Sequence, residues 1–495
     1  MPRISRTLRL AALAVATIAS PTLLHGQIAQ GEYAARRQAL LASIDSGVVV
    51  AFGGVENVTH WPPFAQLPSF EYLTGFGEQD AALLLVKRGG AGTARLFVPP
   101  HNPRIERVAG VRVGPAEARA ATGMEGAEIS TLRAAVDSLI AAGLPLYVVS
   151  DVHTNDFAAA DSLRRGARFV ELLARDHPAV RAASLDTVVL RLRARKTPAE
   201  IALLRRATAI SAAGHRLAMR AMAPACNEGD LQAAMESVFR GMGAERPGYG
   251  SIVGSGPNAL KLHYDENSRV MRAGETVVID AATAYRHYSA DITRTLPVSG
   301  RFSPDQRAIY QMVLDAQAAF VRQIRPGGSL ETANDSGRAV LAAGLTRLGL
   351  IESPTATFDA AAPCRGESCL QVRMFAWHGY GGHGLGLEVH DPAQYYYGAR
   401  QFQPGDVFTV EPGIYVNPAF LDQLPDTPRN RAMLARIRPA VRRYSSIGVR
   451  IEDDYLVGAT GVEWLSRDVP RDPDAVEALM RQPLDAALRC GVPRG

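Results

Sequence analysis

The stretch VVIDAATAYRHYSADITRTLPV, residues 277–298, limits this chain more than any other, because it puts a carboxylate inside each of two adjacent β-prone runs. Aspartate is disfavoured in strands, so a reason is needed for Asp280 and again for Asp291. Two strands joined by a short connection pair antiparallel and bring both residues to one region of a single face. Like charges held that close repel unless a cation lies between them. Taken alone, the pair also admits a plainer arrangement, with one Asp bonding a turn amide and the other pairing with Arg294.

The pair does not stand alone. VEPG puts Glu411 at the end of an apolar strand, and VRIEDDYLV puts Glu452 in another. WHGYGGHGLGLEVHD supplies His378, His383 and His390 among glycines that let backbone and ligands approach closely. A strand carboxylate buried without a partner is costly, and a shared metal site explains several at once. Four carboxylates and one imidazole balance two divalent ions. A mostly oxygen ligand set suits Mn²⁺, with Co²⁺ or Zn²⁺ also accommodated. Two such ions about 3.5–4 Å apart can hold a bridging hydroxide and polarise a carbonyl, which is the equipment of a hydrolase.

Around these residues the chain divides in two. Residues 34–186 alternate strand-like runs (GVVVAFGG, DAALLLVKRG, LYVVSDVH) with a helical pattern in ATGMEGAEISTLRAAVDSLIAAG, which favours an α/β layer. From about residue 190, helices alternate with hairpin-like strand pairs, the pattern of an α+β domain. Two helix starts are explicit: Thr197-Pro198 with Glu200, and Ser303-Pro304 with Gln306, each an N-cap, a proline at the first helical position and a capping box. The glycines of GYGSIVGSGPN are not followed by the Lys-Ser or Lys-Thr of a phosphate-binding loop; that stretch is expected to shape a cleft.

The first residues read MPRISRTLRLAALAVATIASPTLLHGQ: arginines, then an apolar run at 10–19 about half as long as a membrane span. This is the pattern of a secretory signal peptide over residues 1–26, with cleavage expected within 19–26. Losing Arg3, Arg6 and Arg9 lowers the formal charge from +5 to +2, so no nucleic-acid partner is implied, and no other run is long enough to span a membrane. In an oxidising compartment four cysteines invite disulfides. Cys364 and Cys369 flank a loop-like RGES and could close a small one, whereas Cys226 and Cys490 either pair or stay free. Six arginines between Arg429 and Arg443 read as a solvated helix face, with an anionic partner or a peptide carboxyl end as the alternative.

The set HYDEN, IDAATAYRHYSADITRT, HGYGGHGLGLEVHD, VEPGIY and GVRIEDD resembles the pita-bread metallopeptidases, in particular their Xaa-Pro aminopeptidase (aminopeptidase P) and prolidase branch, over nearly all of residues 190–460. FEYLTGFGEQDAALLLV, earlier in the chain, is similar to the amino-terminal domain of aminopeptidase P. After the signal peptide read from the first residues (1–26), the resemblance implies a smaller creatinase-like α/β domain (27–188) and an α+β pita-bread catalytic domain (189–495). It places the family's metal ligands on Asp280, Asp291, His383, Glu411 and Glu452, with Asp291 and Glu452 bridging two ions and Glu411 also the general base. His263 matches a histidine beside the substrate, and His390 one that holds the scissile carbonyl. His378 matches a histidine of the proline pocket, although HGYGGH holds one residue more than the family's usual spacing. Tyr415 and Arg450 match residues that brace the substrate site.

The expectation is therefore an exported, periplasmic or secreted, dinuclear metallo-aminopeptidase. It would cleave peptides with proline at the second position by attack of a metal-bridging hydroxide, and would assemble as a dimer or tetramer. The alternatives are an Xaa-Pro dipeptidase with the same ligands, which YLTGF in the first domain disfavours, and a metal-free binding relative, which should have lost ligands. Segments 353–375 and 417–446 look like inserts, the first able to line or cover the pocket.

Overall fold

A computed structural model of the chain describes residues 28–55, 64–150, 165–376, 381–392, 401–485 and 490. The expected signal segment and His378 lie outside the described residues.

The amino-terminal half is built on one six-stranded sheet of order β4-β3-β2-β1-β5-β6. Its strands are β1 (Gly47–Phe52), β2 (Ala82–Arg88), β3 (Ala91–Val98), β4 (Glu125–Glu128), β5 (Leu146–Val149) and β6 (Ala182–Ser184). β1 pairs antiparallel with β2 and parallel with β5, so it lies inside the sheet. This is why GVVVAF is apolar throughout: side chains alternate between two faces, and both faces are covered. Val48, Val50 and Phe52 pack with Leu132, Val136 and Leu173 on one side. Val49 and Ala51 face the other side, in a cluster with Leu40 and Leu41 of α1 (Gln30–Ala42) and Phe70 and Leu73 of α2 (Pro68–Thr74). That second cluster continues into the carboxy-terminal half through Leu203, Leu204, Leu385 and Leu387, so one apolar layer joins the two halves.

The connection is α3 (Asp186–Ala194), and the expected division at 188/189 falls inside it. α4 (Pro198–Ala221) then starts at the Thr197–Glu200 capping box read from the sequence, and packs with α5 (Glu228–Gly241). α6 (Pro304–Val321) starts at the Ser303–Gln306 box and packs with α7 (Leu330–Arg347). A single core cluster joins Ile210, Met235, Val313 and Leu345 of these helices to Val277, Ile279 and Leu296 of the strands beneath.

The strands beneath depart from the simple hairpin expected for residues 277–298. The run breaks into β9 (Thr276–Asp280), β10 (Thr283–Tyr285), β11 (Tyr288–Ser289) and β12 (Thr293–Pro297). β9 and β12 join β8 (Ile252–Ser255) in a sheet of order β12-β9-β8, whereas β10 and β11 join β7 (Arg246–Pro247) in another. Both breaks fall beside the aspartates. Asp280 pairs in register with Thr293, and Asp291 stands just outside the ladder. β13 (Val407–Val410), β16 (Asp453–Val457) and β17 (Val462–Trp464) form a third sheet, and β14 (Gly413–Tyr415) pairs with β15 (Gly448–Arg450). Glu411 and Glu452 occupy the equivalent breaks between these strands, so all four carboxylates project where ladders part.

The two-residue turn joining β10 to β11 is Arg286-His287, both at positive φ, 50° and 69°. That geometry usually selects Asn-Gly. Here the Glu245 carboxylate accepts both turn amides, from Arg286 at 3.0 Å and from His287, which offsets the backbone cost. His287 Nδ1 then meets Glu71 Oε1 of α2 at 2.6 Å, tying the turn to the amino-terminal half. The hydrogen bond to Glu71 outweighs burial and the nearby Arg246 and raises the His287 pKa above 6.5. A histidine raised in the folded state contributes stability that is complete below the unfolded pKa and is lost as pH rises through the folded one. The stability difference between wild type and His287→Gln should therefore be largest below pH 6.5 and shrink at more alkaline pH. Both side chains are partly exposed, so the full effect is at most about 1 kcal/mol. Thermal melts of the two proteins across pH 5.5–9, on the order of one reading per half unit, test this; a difference that grows with pH contradicts it.

The arginine-rich segment forms α8 (Pro428–Arg443), which buries Met433, Ile437 and Val441. Its arginines pair with surface acids, Arg431 with Asp426 and Arg443 with Asp305 at 2.7 Å each and Arg436 with Glu352 at 2.6 Å. These exposed pairs fit the solvated face read from the sequence. All four cysteines are paired: Cys226 with Cys490, tying the chain end to the start of α5, and Cys364 with Cys369 inside the first insert. No described helix is long and apolar enough to cross a membrane.

Candidate metal centre

Asp280, Asp291, His383, Glu411 and Glu452 converge where the ladders part. Asp280, Asp291, His383 and Glu452 are buried and Glu411 is half-buried. Donor atoms of Asp291, His383 and Glu452 lie within 4.8 Å of one another. His383 Nε2 stands 3.4 Å from Asp291 Oδ2 and 3.5 Å from Glu411 Oε1. The backbone sets these positions. The His383 carbonyl accepts from Thr409 N–H at 2.9 Å, and Leu385 N–H donates to the Val407 carbonyl at 3.0 Å, so the histidine loop runs along β13 toward Glu411. Glu452 N–H donates to the Thr293 carbonyl at 3.0 Å, which ties Glu452 to the strand following Asp291.

The protonation pattern suits a cation. His383 Nδ1 lies 3.1 Å from the Gly384 carbonyl. A carbonyl only accepts, so Nδ1 carries a proton, and Nε2 is the ring nitrogen turned toward the carboxylates. Burial, then the charges of Asp280 and Glu411, push Asp291 well above the usual carboxylate range. Burial, then Asp291, Glu411 and Asp280, do the same to Glu452. Burial also raises Glu411, with Asp280 adding to it and His383 and Arg450 opposing it. Glu452 Oε2 accepts from Thr293 Oγ1 at 2.6 Å, but its Oε1 is buried with no hydrogen-bond partner. Tyr249 Oη stands 2.6 Å from Asp280 Oδ1 and 2.6 Å from Asp291 Oδ1. A phenol has one proton to give, so two ionised carboxylates cannot both be satisfied there. Crowded carboxylates, an orphaned buried oxygen and an imidazole nitrogen turned toward them together fit divalent ions with oxygen and nitrogen ligands.

Arg450 and Tyr415 sit behind this cluster, both 1% exposed. Arg450 donates to Asp280 Oδ2 at 2.6 Å, to Tyr415 Oη at 2.8 Å and to Thr293 Oγ1 at 3.2 Å. They brace Asp280 from inside the protein. The plainer pairing of Arg294 with one of the aspartates is not formed: Arg294 donates to Asp453 at 2.6 Å, on the far side of the strand. On the open side, the His390 ring stacks edgewise on His383 with centroids 3.9 Å apart. Burial and the neighbouring His383 and His263 push His390 down to about 3, so it is neutral at neutral pH. His263 is solvent-exposed, near enough to His390 to act on it electrostatically.

Three contributors are absent from the expected set: Tyr249, Thr293 and Asp454, whose carboxylate accepts the Asp291 amide at 3.3 and 3.4 Å. Tyr249 lies in the glycine-bearing stretch expected to shape the cleft, and its phenol reaches the carboxylates themselves. The EDD run at 452–454 was visible, but nothing local distinguishes which acid faces the cluster.

These features fit a metal-dependent hydrolase, and the chain belongs to metallopeptidase family M24, whose profile matches residues 202–459. Residues 33–145 match the family of aminopeptidase P N-terminal domains. The chain is 34% identical to the Xaa-Pro aminopeptidase of Escherichia coli over 92% of its own length and 98% of that protein's. It is also 34% identical to the Xaa-Pro aminopeptidase of Haemophilus influenzae, over 84% and 89%. Among solved structures it resembles proline aminopeptidase P II from Yersinia pestis, with TM-score 0.74, 32% identity and coverage of 92% and 99%. The two-domain architecture expected from the sequence, a pita-bread catalytic domain behind a smaller α/β domain, is the one these proteins share.

Proposed function

We propose that this chain is an exported dinuclear metallo-aminopeptidase that releases the residue preceding proline from the amino terminus of a peptide. The observation that carries the reading is the convergence of five buried or half-buried donors around an orphaned Glu452 oxygen and one shared Tyr249 proton. Asp280, Asp291, His383, Glu411 and Glu452 would hold two divalent ions, Mn²⁺ or alternatively Co²⁺ or Zn²⁺; a zinc-substituted form of the E. coli aminopeptidase P is known in complex with product. When bound, the metal polarises the scissile carbonyl and lowers the pKa of the attacking water.

The chain's own residues do the rest. Glu411 takes a proton from the attacking water and delivers it to the prolyl nitrogen, which as a tertiary amide must be protonated to leave. The C–N bond breaks, water oxygen becomes part of the new carboxylate, and proline is left as the new amino terminus. His390, neutral and in contact with His383, would donate a hydrogen bond to the carbonyl oxygen as charge develops there. His263 would line the substrate's path, and His378 is assigned to the proline pocket on its sequence match alone. Two disulfides fit an oxidising compartment and so an exported protein; assembly into a homo-oligomer is part of the same reading.

Peptide length separates this activity from that of a dipeptidase. The tripeptide Xaa-Pro-Pro should be hydrolysed at least about 10-fold faster, in kcat/KM, than the dipeptide Xaa-Pro. The amino-terminal domain match and the E. coli aminopeptidase P structure with the inhibitor Pro-Leu favour that outcome. The reverse order would make the enzyme a dipeptidase.

A further inference from the structure

The loop carrying His390 is held at both ends by one buried arginine from outside the metal centre. Arg193 lies near the end of α3, the helix that connects the two halves, and is 2% exposed. Its Nη2 meets Glu388 Oε2 at 2.7 Å and Asp391 Oδ1 at 2.9 Å. Its Nη1 donates to Ser69 Oγ of α2 at 3.1 Å. One guanidinium thus joins the amino-terminal half to the residues on either side of His390.

The loop closes on itself around that contact. Asp391 N–H donates to the Gly384 carbonyl at 2.8 Å, and Asp391 Oδ2 accepts from Leu387 N–H at 2.7 Å. A side chain at Gly384 or Gly386 would strike Asp391, so the ring forms only with glycine at both positions. Lys196 Nζ donates to the carbonyls of Arg193 and Asp391, at 2.8 and 3.1 Å, fastening the end of α3 to the same residue. From this ring the His390 imidazole lies against His383. A buried ion pair adds little net stability over an apolar replacement, which leaves orientation as its physical return.

We infer that Arg193 is a positioning residue for His390, setting the imidazole over the reacting carbonyl from an anchor in the amino-terminal domain. The inference rests on the role proposed above for His390. A lysine at 193 keeps the charge but has no planar fork to reach Ser69, Glu388 and Asp391 together.

The test compares kcat, KM and metal content for wild type, Arg193→Lys, His390→Ala and the double variant on an Xaa-Pro peptide. Arg193→Lys should lower kcat about 10–100-fold, with KM within about 2-fold and metal content unchanged. In the His390→Ala background the same change should cost less than about 2-fold, because the group it positions is gone. Equal losses in both backgrounds, or loss of metal, would overturn the inference while leaving the role of His390 intact. A His390→Ala enzyme with wild-type kcat would instead remove the role of His390, and the inference with it. If Arg193→Lys does not fold, Ser69→Ala removes only the anchor in the amino-terminal half. It should lower kcat a few-fold, about 3-fold, in wild type and not in His390→Ala; equal loss in both backgrounds again overturns the inference.

Discussion

Asp291→Asn is expected to lower peptide hydrolysis at least about 1,000-fold, since metal polarisation of a carbonyl contributes several kcal/mol to the transition state. Asp291 has a carboxylate oxygen 3.4 Å from His383 Nε2 and shares the Tyr249 phenol with Asp280, so it faces the middle of the cluster. Asparagine would offer a cation one neutral oxygen in place of a charged carboxylate. The same substitution has an opposite effect on the metal-free protein. There Asp291 is crowded by Asp280 and Glu411 in a dry setting, and removing its charge relieves that repulsion. The metal-free variant should therefore melt at or above the metal-free wild type. Adding Mn²⁺ should then stabilise the wild type much more, because only a ligand that binds the native state raises its melting temperature. Melting curves with and without metal, run beside the peptide assay, check both halves. A variant with the full metal-induced shift and wild-type activity would remove Asp291 from the centre.

Glu411→Gln is expected to lower kcat by about 100–10,000-fold, the range for a lost general acid–base group, with KM changed far less. Glu411 is well placed for both duties assigned to it. Its Oε1 is 3.5 Å from His383 Nε2 and accepts from Thr409 Oγ1 at 3.3 Å, and it is half-buried, the most exposed of the four carboxylates. Glutamine keeps the shape and the threonine bond but cannot take a proton from water. Single-turnover kinetics on the metal-loaded variant would show the slow chemical step directly. A loss below about 10-fold would mean that another group moves the proton.

The legible parts of this protein were those where a local signal contradicts its surroundings. Four carboxylates in apolar strand ends pointed to a shared cation, and the structure brings all four together. The N-caps at Thr197 and Ser303 were equally clear, because a capping box is complete within four residues. What stayed hidden depends on contacts between distant segments. Residues 277–298 read as one hairpin, yet they split across two sheets because the ladder opens at each aspartate. Tyr249 was hidden among glycines, its role set by a sheet partner some thirty residues on. Arg294, three residues after Asp291, turns away to Asp453, whereas Arg450, 170 residues from Asp280, is the cation that holds Asp280. Arg193 carries no sequence signal at all, since its meaning lies in contacts with two distant segments, Ser69 in one and Glu388 and Asp391 in the other.

The most direct test of the central claim is hydrolysis of two peptides that differ only at the second residue, proline or alanine, by the purified chain before and after chelation. The account predicts cleavage before proline at least about 100-fold faster than before alanine, lost on chelation and restored by Mn²⁺, Co²⁺ or Zn²⁺. Equal cleavage of both peptides, or full activity in the chelated protein, would contradict it.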